Sequence, residues 1–129
     1  MSATLNIGSC TMPPGEYWVG DPCYGVPDER WMEWLMDAGI EQEPIPRFML
    51  AELDGHAVLG VGTYGGDGVY YDKQGREYPV DAGLIGLVPV EIVTGEPFGM
   101  KKINFPNGVT VSYVDGDIII GDYIVIETK

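Results

Sequence analysis

Apolar positions recur at two periods in this chain: a period of two over most of its length, and a period of 3.6 over one short stretch. The helical stretch is residues 28–38. Trp31, Trp34, Leu35 and Ala38 fall at i, i+3, i+4 and i+7 and form one apolar face. Asp28 is the expected N-cap, and Gly39 is the expected stop. Glu29, Glu33 and Asp37 share the opposite face at four-residue spacing, where like charges repel by a few tenths of a kcal/mol each.

Period two predicts strands elsewhere. A short first strand is expected at residues 3–7, then turn chemistry at 11–15, where Pro13 and Pro14 cannot donate to a ladder. Residues 16–20 follow as a strand that Asp21-Pro22 breaks. The acidic, proline-broken connector 40–46 follows the helix. Residues 48–53 and 57–61 flank Asp54-Gly55, and residues 69–72 and 77–80 flank the 73–76 turn, so each pair reads as a hairpin. The apolar run 84–93 carries Pro89, which marks an edge, bulge or bend. Residues 109–114, 118–120 and 123–127 close the chain, joined by Asp-Gly and Gly-Asp turns. The expected fold is mainly β (α+β): an antiparallel β-barrel or rolled sheet with one packed α-helix over 28–38, in a single domain spanning 1–129.

Composition changes this picture in one respect. Twenty acids stand against seven basic residues, for a net charge of −13, yet the hydrophobic fraction is 45%. That apolar content separates the chain from a disordered acidic tail. A folded domain with a strongly negative surface repels nucleic acid and anionic lipid and attracts basic partners. The start of the chain has neither a basic segment nor an apolar core region, and no run reaches the roughly 18 apolar residues of a membrane span. A soluble, cytoplasmic protein is expected, with Cys10 and Cys23 as reduced thiols.

Chemistry is sparse. Gly60-Val61-Gly62-Thr63-Tyr64-Gly65 matches GxGxxG, but a strand rather than a helix is expected after it, and Asp67 would repel a pyrophosphate. Gly60, Gly62, Gly65 and Asp67 stand as an alternative ligand-binding set. Asp67 with Asp72, and Asp115 with Asp117 and Asp122, could share a hard cation, although EF-hand spacing is absent. No metal ligand set and no cofactor is expected. Cys23, His56 and Asp21 are the raw material for a nucleophile, base and orienter, without a supporting local motif. Tyr70 and Tyr71 are expected on opposite faces of one strand, with one of them exposed.

The segments Gly15-Glu16-Tyr17-Trp18-Val19-Gly20-Asp21-Pro22-Cys23-Tyr24, residues 66–72 and 78–86, and the closing Asp117-Ile118-Ile119-Ile120-Gly121-Asp122 resemble small bacteriophage and prophage proteins of unknown function. The resemblance implies a phage-type accessory protein and carries no catalytic residues with it. The expected function is a non-catalytic acidic protein that binds a basic host protein surface in the host cytoplasm, as an anti-defence inhibitor acting partly as a nucleic-acid mimic. The expected contact is Glu29, Glu33, Asp37, Glu41 and Glu43, with no direct nucleic-acid or membrane contact. The alternatives are a small-molecule or nucleotide-sequestering module using the Gly-rich segment, and a small enzyme using Cys23 and His56.

Overall fold

A computed structural model describes residues 7–129, so of the expected first strand only Ile7 lies within the described residues. The strands are β1 (Ile7–Met12), β2 (Gly15–Gly20), β3 (Phe48–Leu53), β4 (His56–Gly62), β5 (Gly68–Tyr71), β6 (Glu77–Val80), β7 (Leu84–Pro89), β8 (Lys101–Phe105), β9 (Val109–Val114), β10 (Asp117–Ile120) and β11 (Ile124–Glu127). The helix α1 spans Asp28–Ala38, and 3-10 turns occupy Pro22–Tyr24 and Val90–Ile92. The fold is mainly β, antiparallel throughout, with one helix, as the periodicity predicts. Among the described residues no sheet closes into a barrel; the rolled-sheet alternative is the one adopted.

Three layers result. A four-stranded sheet of order β1-β9-β10-β11 packs on a five-stranded sheet of order β3-β4-β7-β2-β8, and α1 covers the far face of the latter. The alternation of side chains along β4 and β7 accounts for this. Leu59, Val61, Ile85 and Leu87 join Val111, Tyr113, Ile118, Ile120, Ile124 and Ile126 in the inter-sheet core. Val58, Leu84 and Val88 point the other way, to Trp34, Ala38, Met49 and Leu53. Both faces are therefore buried, and β7 is buried along its whole length. This explains why its sequence reads as a continuous apolar run rather than an alternation. Pro89 ends the strand, opposite Tyr17. The hairpin β5–β6 docks beside the four-stranded sheet through the bridge between Asp72 and Ile126 and the Lys73 N–H to Val125 O, and it buries Tyr78 and Val80 in the inter-sheet core.

Both Asp-Gly turns form as expected. Asp54 and Gly55 have φ of 54° and 81°, and Asp115 and Gly116 have 49° and 96°, the doubly left-handed geometry that suits a two-residue hairpin loop.

Three expectations are corrected and one strand is added. Thr11 and Met12 belong to β1, so the turn begins only at Pro13. The strand β8 is missing from the expected elements because Lys occupies both 101 and 102, which leaves only Ile103 and Phe105 as apolar alternation. Tyr123 precedes β11 rather than starting it. Asp28 is not the N-cap of α1: Pro27 holds that position without a side-chain bond, and Asp28 and Glu29 occupy the first turn, where the helix dipole favours them. At the other end Gly39 has φ of 107° and its N–H reaches Leu35 O and Met36 O, the left-handed stop its sequence predicts. No helix among the described residues is long and apolar enough to cross a membrane.

Candidate functional site

The apolar face of α1 docks through Trp34. Its indole is fully buried, and Nε1–H donates to Val58 O at 3.2 Å. Close packing requires small residues beneath it. Gly60 on β4 lies level with Gly86 on β7, which in turn lies level with Gly20 on β2. A Cβ at Gly60 would lie 3.1 Å from the Trp34 ring, and one at Gly86 would lie 1.8 Å from Leu59 O. Two glycines of the GxGxxG match are thereby explained by packing: Gly60 seats the helix, and Gly65 leaves room for the Tyr70 hydroxyl and Thr128 O. Thr63 and Tyr70 hydroxyls both donate to Gly66 O and fix the loop. No helix N-terminus follows it, so the dinucleotide reading has no dipole to use.

The outward face of α1 carries more than the acidic strip. Glu29, Glu33 and Asp37 are exposed, and between them stand Met32 and Met36, 62% and 43% exposed. The strip is also less repulsive than its spacing suggests. Arg30 donates to Glu33 at 2.7 Å and to Asp54 at 3.1 Å, and its hydrogen bond holds the Glu33 carboxyl below the usual range. Glu41 and Glu43 follow on the connector, both exposed.

Between this connector and the sheet runs an apolar groove of about 450 Å³, walled by Leu35, Ile40, Ile45, Met49 and Leu84, with Gly62 and Gly83 in its lining. Arg47 also lines it, but its guanidinium donates to Gly62 O at 2.7 Å and to Thr63 O at 3.3 Å and lies over the Tyr113 ring. Gly62 of the alternative ligand set lines this groove and Asp67 lies beside its lining residue Gly83, whereas Glu41 and Glu43 adjoin the lining residues Ile40 and Pro44, and Glu29, Glu33 and Asp37 belong to the helix surface.

The remaining candidates have structural roles. Asp21 is fully buried and accepts from the backbone N–H groups of Cys23, Asp81 and Ala82, which ties the 3-10 turn to the loop before β7. Cys10 and Cys23 are both free thiols. Burial, then the Asp21 charge and hydrogen bond, with Asp81 and Asp67 adding to it, push the Cys23 thiol well above its ordinary range, against a role as a thiolate nucleophile. His56 is half-buried at the start of β4. Strands β2 and β4 run in the same direction, each antiparallel to β7. His56 lies four residues before Gly60, about 13 Å along the strand, while Cys23 lies past the opposite end of β2. The three residues of the enzyme alternative do not assemble.

Asp72 likewise holds a turn. Its carboxylate accepts from Gln74 N and Arg76 N at 2.9 Å, Arg76 Nε at 2.7 Å and the Tyr78 hydroxyl at 2.9 Å. Burial works to raise its pKa, and these bonds together outweigh burial and hold it below the ordinary value. Those partners occupy the lone pairs a cation would need. Asp115 pairs with Lys129. Among the described residues no group of three or more His, Cys, Asp or Glu side chains converges as a metal site would need.

Every basic side chain is engaged within the fold. Arg30, Lys73, Arg76 and Lys129 form ion pairs. Arg47 and Lys101 donate to backbone carbonyls, and Lys102 sits over the Trp18 ring. Of the acids, only Glu33, Asp54, Asp72, Asp115 and Glu127 make ion pairs among the described residues. Comparison of the chain with protein-family models, with curated proteins and with solved structures finds no match.

The groove itself is invisible in the sequence, because its lining comes from three separate segments, residues 35–49, Gly62 and residues 82–84. The exposed methionines are different. Met32 and Met36 repeat at i and i+4 between the acids, a pattern open to reading that the charge count obscures. As expected from alternation, Tyr70 turns inward to Gly66 O while Tyr71 is 54% exposed.

Proposed function

We propose that this chain is a non-catalytic binding protein whose acidic, methionine-bearing surface on α1 and the following connector docks a basic surface of a partner protein. The observation that supports it most is the composition of that surface: Met32 and Met36 stand exposed among Glu29, Asp37, Glu41 and Glu43, none of which makes an ion pair among the described residues. Carboxylates steer a basic partner inward and select against acidic ones. Thioether side chains then supply adaptable apolar contact. Nucleic acid and anionic lipid are poor partners for a chain of charge −13 whose cations are all engaged internally. The resemblance to phage proteins supports a more specific form, a phage-type anti-defence inhibitor that covers a nucleic-acid-binding surface of a host protein as a partial mimic, in the host cytoplasm.

Capture from host lysate on the native protein and on Glu29→Lys/Asp37→Lys/Glu41→Lys, with mass spectrometry, tests the reading. Glu33 stays native because Arg30 depends on it. The expected partner is basic, is lost from the triple variant, and is displaced by duplex DNA. Its association rate should fall steeply between 0.1 and 1 M salt, as the Debye length shrinks from about 10 Å to about 3 Å. A partner retained by the triple variant, or a salt-independent affinity, removes this surface from the interface.

The apolar groove favours a second reading, sequestration of a small molecule. A nucleotide fits it poorly, because Arg47 is the one cation in its lining and the acids Glu41, Glu43, Asp67 and Asp81 adjoin lining residues.

A further inference from the structure

The groove beside α1 has an apolar interior and acidic margins on both sides. On one margin Glu41 and Glu43 flank the lining residues Ile40 and Pro44. On the other, Asp81 precedes the lining residue Ala82, and the Asp67 carboxylate lies 3.7 Å from where a Cβ on Gly83 would stand. All four acids are exposed, and none makes an ion pair among the described residues. Inside, Ile45 is 52% exposed although it faces a cavity rather than a partner. Pro44 and Pro46 leave that wall without backbone N–H groups on either side of Ile45, so it cannot add a β-strand and must be read through side chains.

We propose that this groove binds an extended peptide segment of the partner, in which one Leu- or Ile-sized apolar side chain is flanked on both sides by Lys or Arg. The proposal rests on the basic-partner reading above and narrows it from a surface to a linear segment. The apolar side chain enters between Ile45 and Leu84 and supplies the desolvated anchor. The flanking cations meet Glu41 and Glu43 on one side and Asp67 and Asp81 on the other, which sets orientation and selects against neutral or acidic segments. A nucleotide or an acidic peptide would meet four carboxylates against the single guanidinium of Arg47, whose Nη1 is held by Gly62 O and Thr63 O. A volume of about 450 Å³ is sufficient for one aliphatic side chain with its neighbouring backbone.

Fluorescence anisotropy with three labelled synthetic peptides tests this: Lys-Arg-Gly-Leu-Gly-Lys-Arg, the same peptide with Ser in place of Leu, and an uncharged version in which Gln replaces each Lys and Arg but Leu is kept. On the native protein the Leu peptide should bind about tenfold or more tighter than either of the others. Ile45→Asn alters an exposed side chain, and Ala82→Trp at an exposed position narrows the groove from the opposite wall. Each should bring the Leu and Ser peptides within about twofold of one another while leaving the far-ultraviolet circular dichroism native. Glu41→Lys/Glu43→Lys should weaken both charged peptides together. Equal affinity for the Leu and Ser peptides, or a Leu preference that survives both groove variants, overturns the groove proposal and leaves the basic-partner reading standing. Equal affinity for the charged and uncharged Leu peptides overturns the acidic margins, and with them the charge argument of that reading. Failure of Glu29→Lys/Asp37→Lys, which leaves the groove margin native, to change partner capture, with the Leu preference intact, sinks the helix surface but not the groove.

Discussion

Asp21 and Asp72 show how one residue type can look catalytic or metal-binding in a sequence and prove architectural. Each carboxylate is buried, and each organises backbone N–H groups that no strand or helix satisfies. For Asp72 this has a pH consequence. Its folded pKa is lowered from the ordinary 3.8, so its contribution to stability is full above that value and is lost as pH falls through the lower folded value. Asp72→Asn should destabilise by about 1.5–3 kcal/mol at pH 7, the range for hydrogen bonds to a charged group. The difference between native and variant should shrink in strongly acidic buffer. Chemical denaturation of both proteins across that range checks it; a difference that stays constant down to strong acid would show that the charge of Asp72 contributes nothing.

At the scale of elements, the decisive contact joins α1 to the five-stranded sheet. Trp34 stacks on Trp31 at 5.3 Å, enters over Gly60 of β4, and donates to Val58 O. Trp34→Ala removes a fully buried aromatic side chain and should destabilise by about 3–5 kcal/mol. A loss below about 1 kcal/mol in urea unfolding would mean that the layer beneath collapses to fill the space. The helix was legible because its 3.6 period, acids and terminal glycine all agree. Its N-cap was not, because Asp28 is a good cap by type, yet Pro27, with its fixed φ, holds that position.

For the whole molecule, charge is the dominant property. The acids without ion pairs lie on α1, the connector, the loops and also the strands, at Glu16, Glu52, Glu77 and Asp117, and the cations that could offset them serve contacts within the chain. Self-repulsion therefore opposes the compact state. Raising NaCl from 0.01 to 0.1 M shortens the Debye length from about 30 Å to about 10 Å. The melting temperature should rise by a few degrees over that interval, the effect of about 1 kcal/mol on a domain of this size. A fall on adding salt would show that the surface ion pairs, not the repulsion, dominate.

Several features were determined by the sequence alone: the helix at residues 28–38, the Asp-Gly hairpins, the turn residues and the surface charge. These depend on local periodicity, on the φ preferences of Gly, Asp and Pro, and on counting. Tertiary structure decided the rest. It made β7 a strand buried on both faces, turned Gly60 into a seat for Trp34 and Gly86 into a close approach to Leu59 O, gave Asp21 and Asp72 to the backbone, and assembled the groove from residues 35–49, Gly62 and residues 82–84. Each of these depends on pairing between segments distant in the chain, and the free energy of such a contact exists only once both partners are in place.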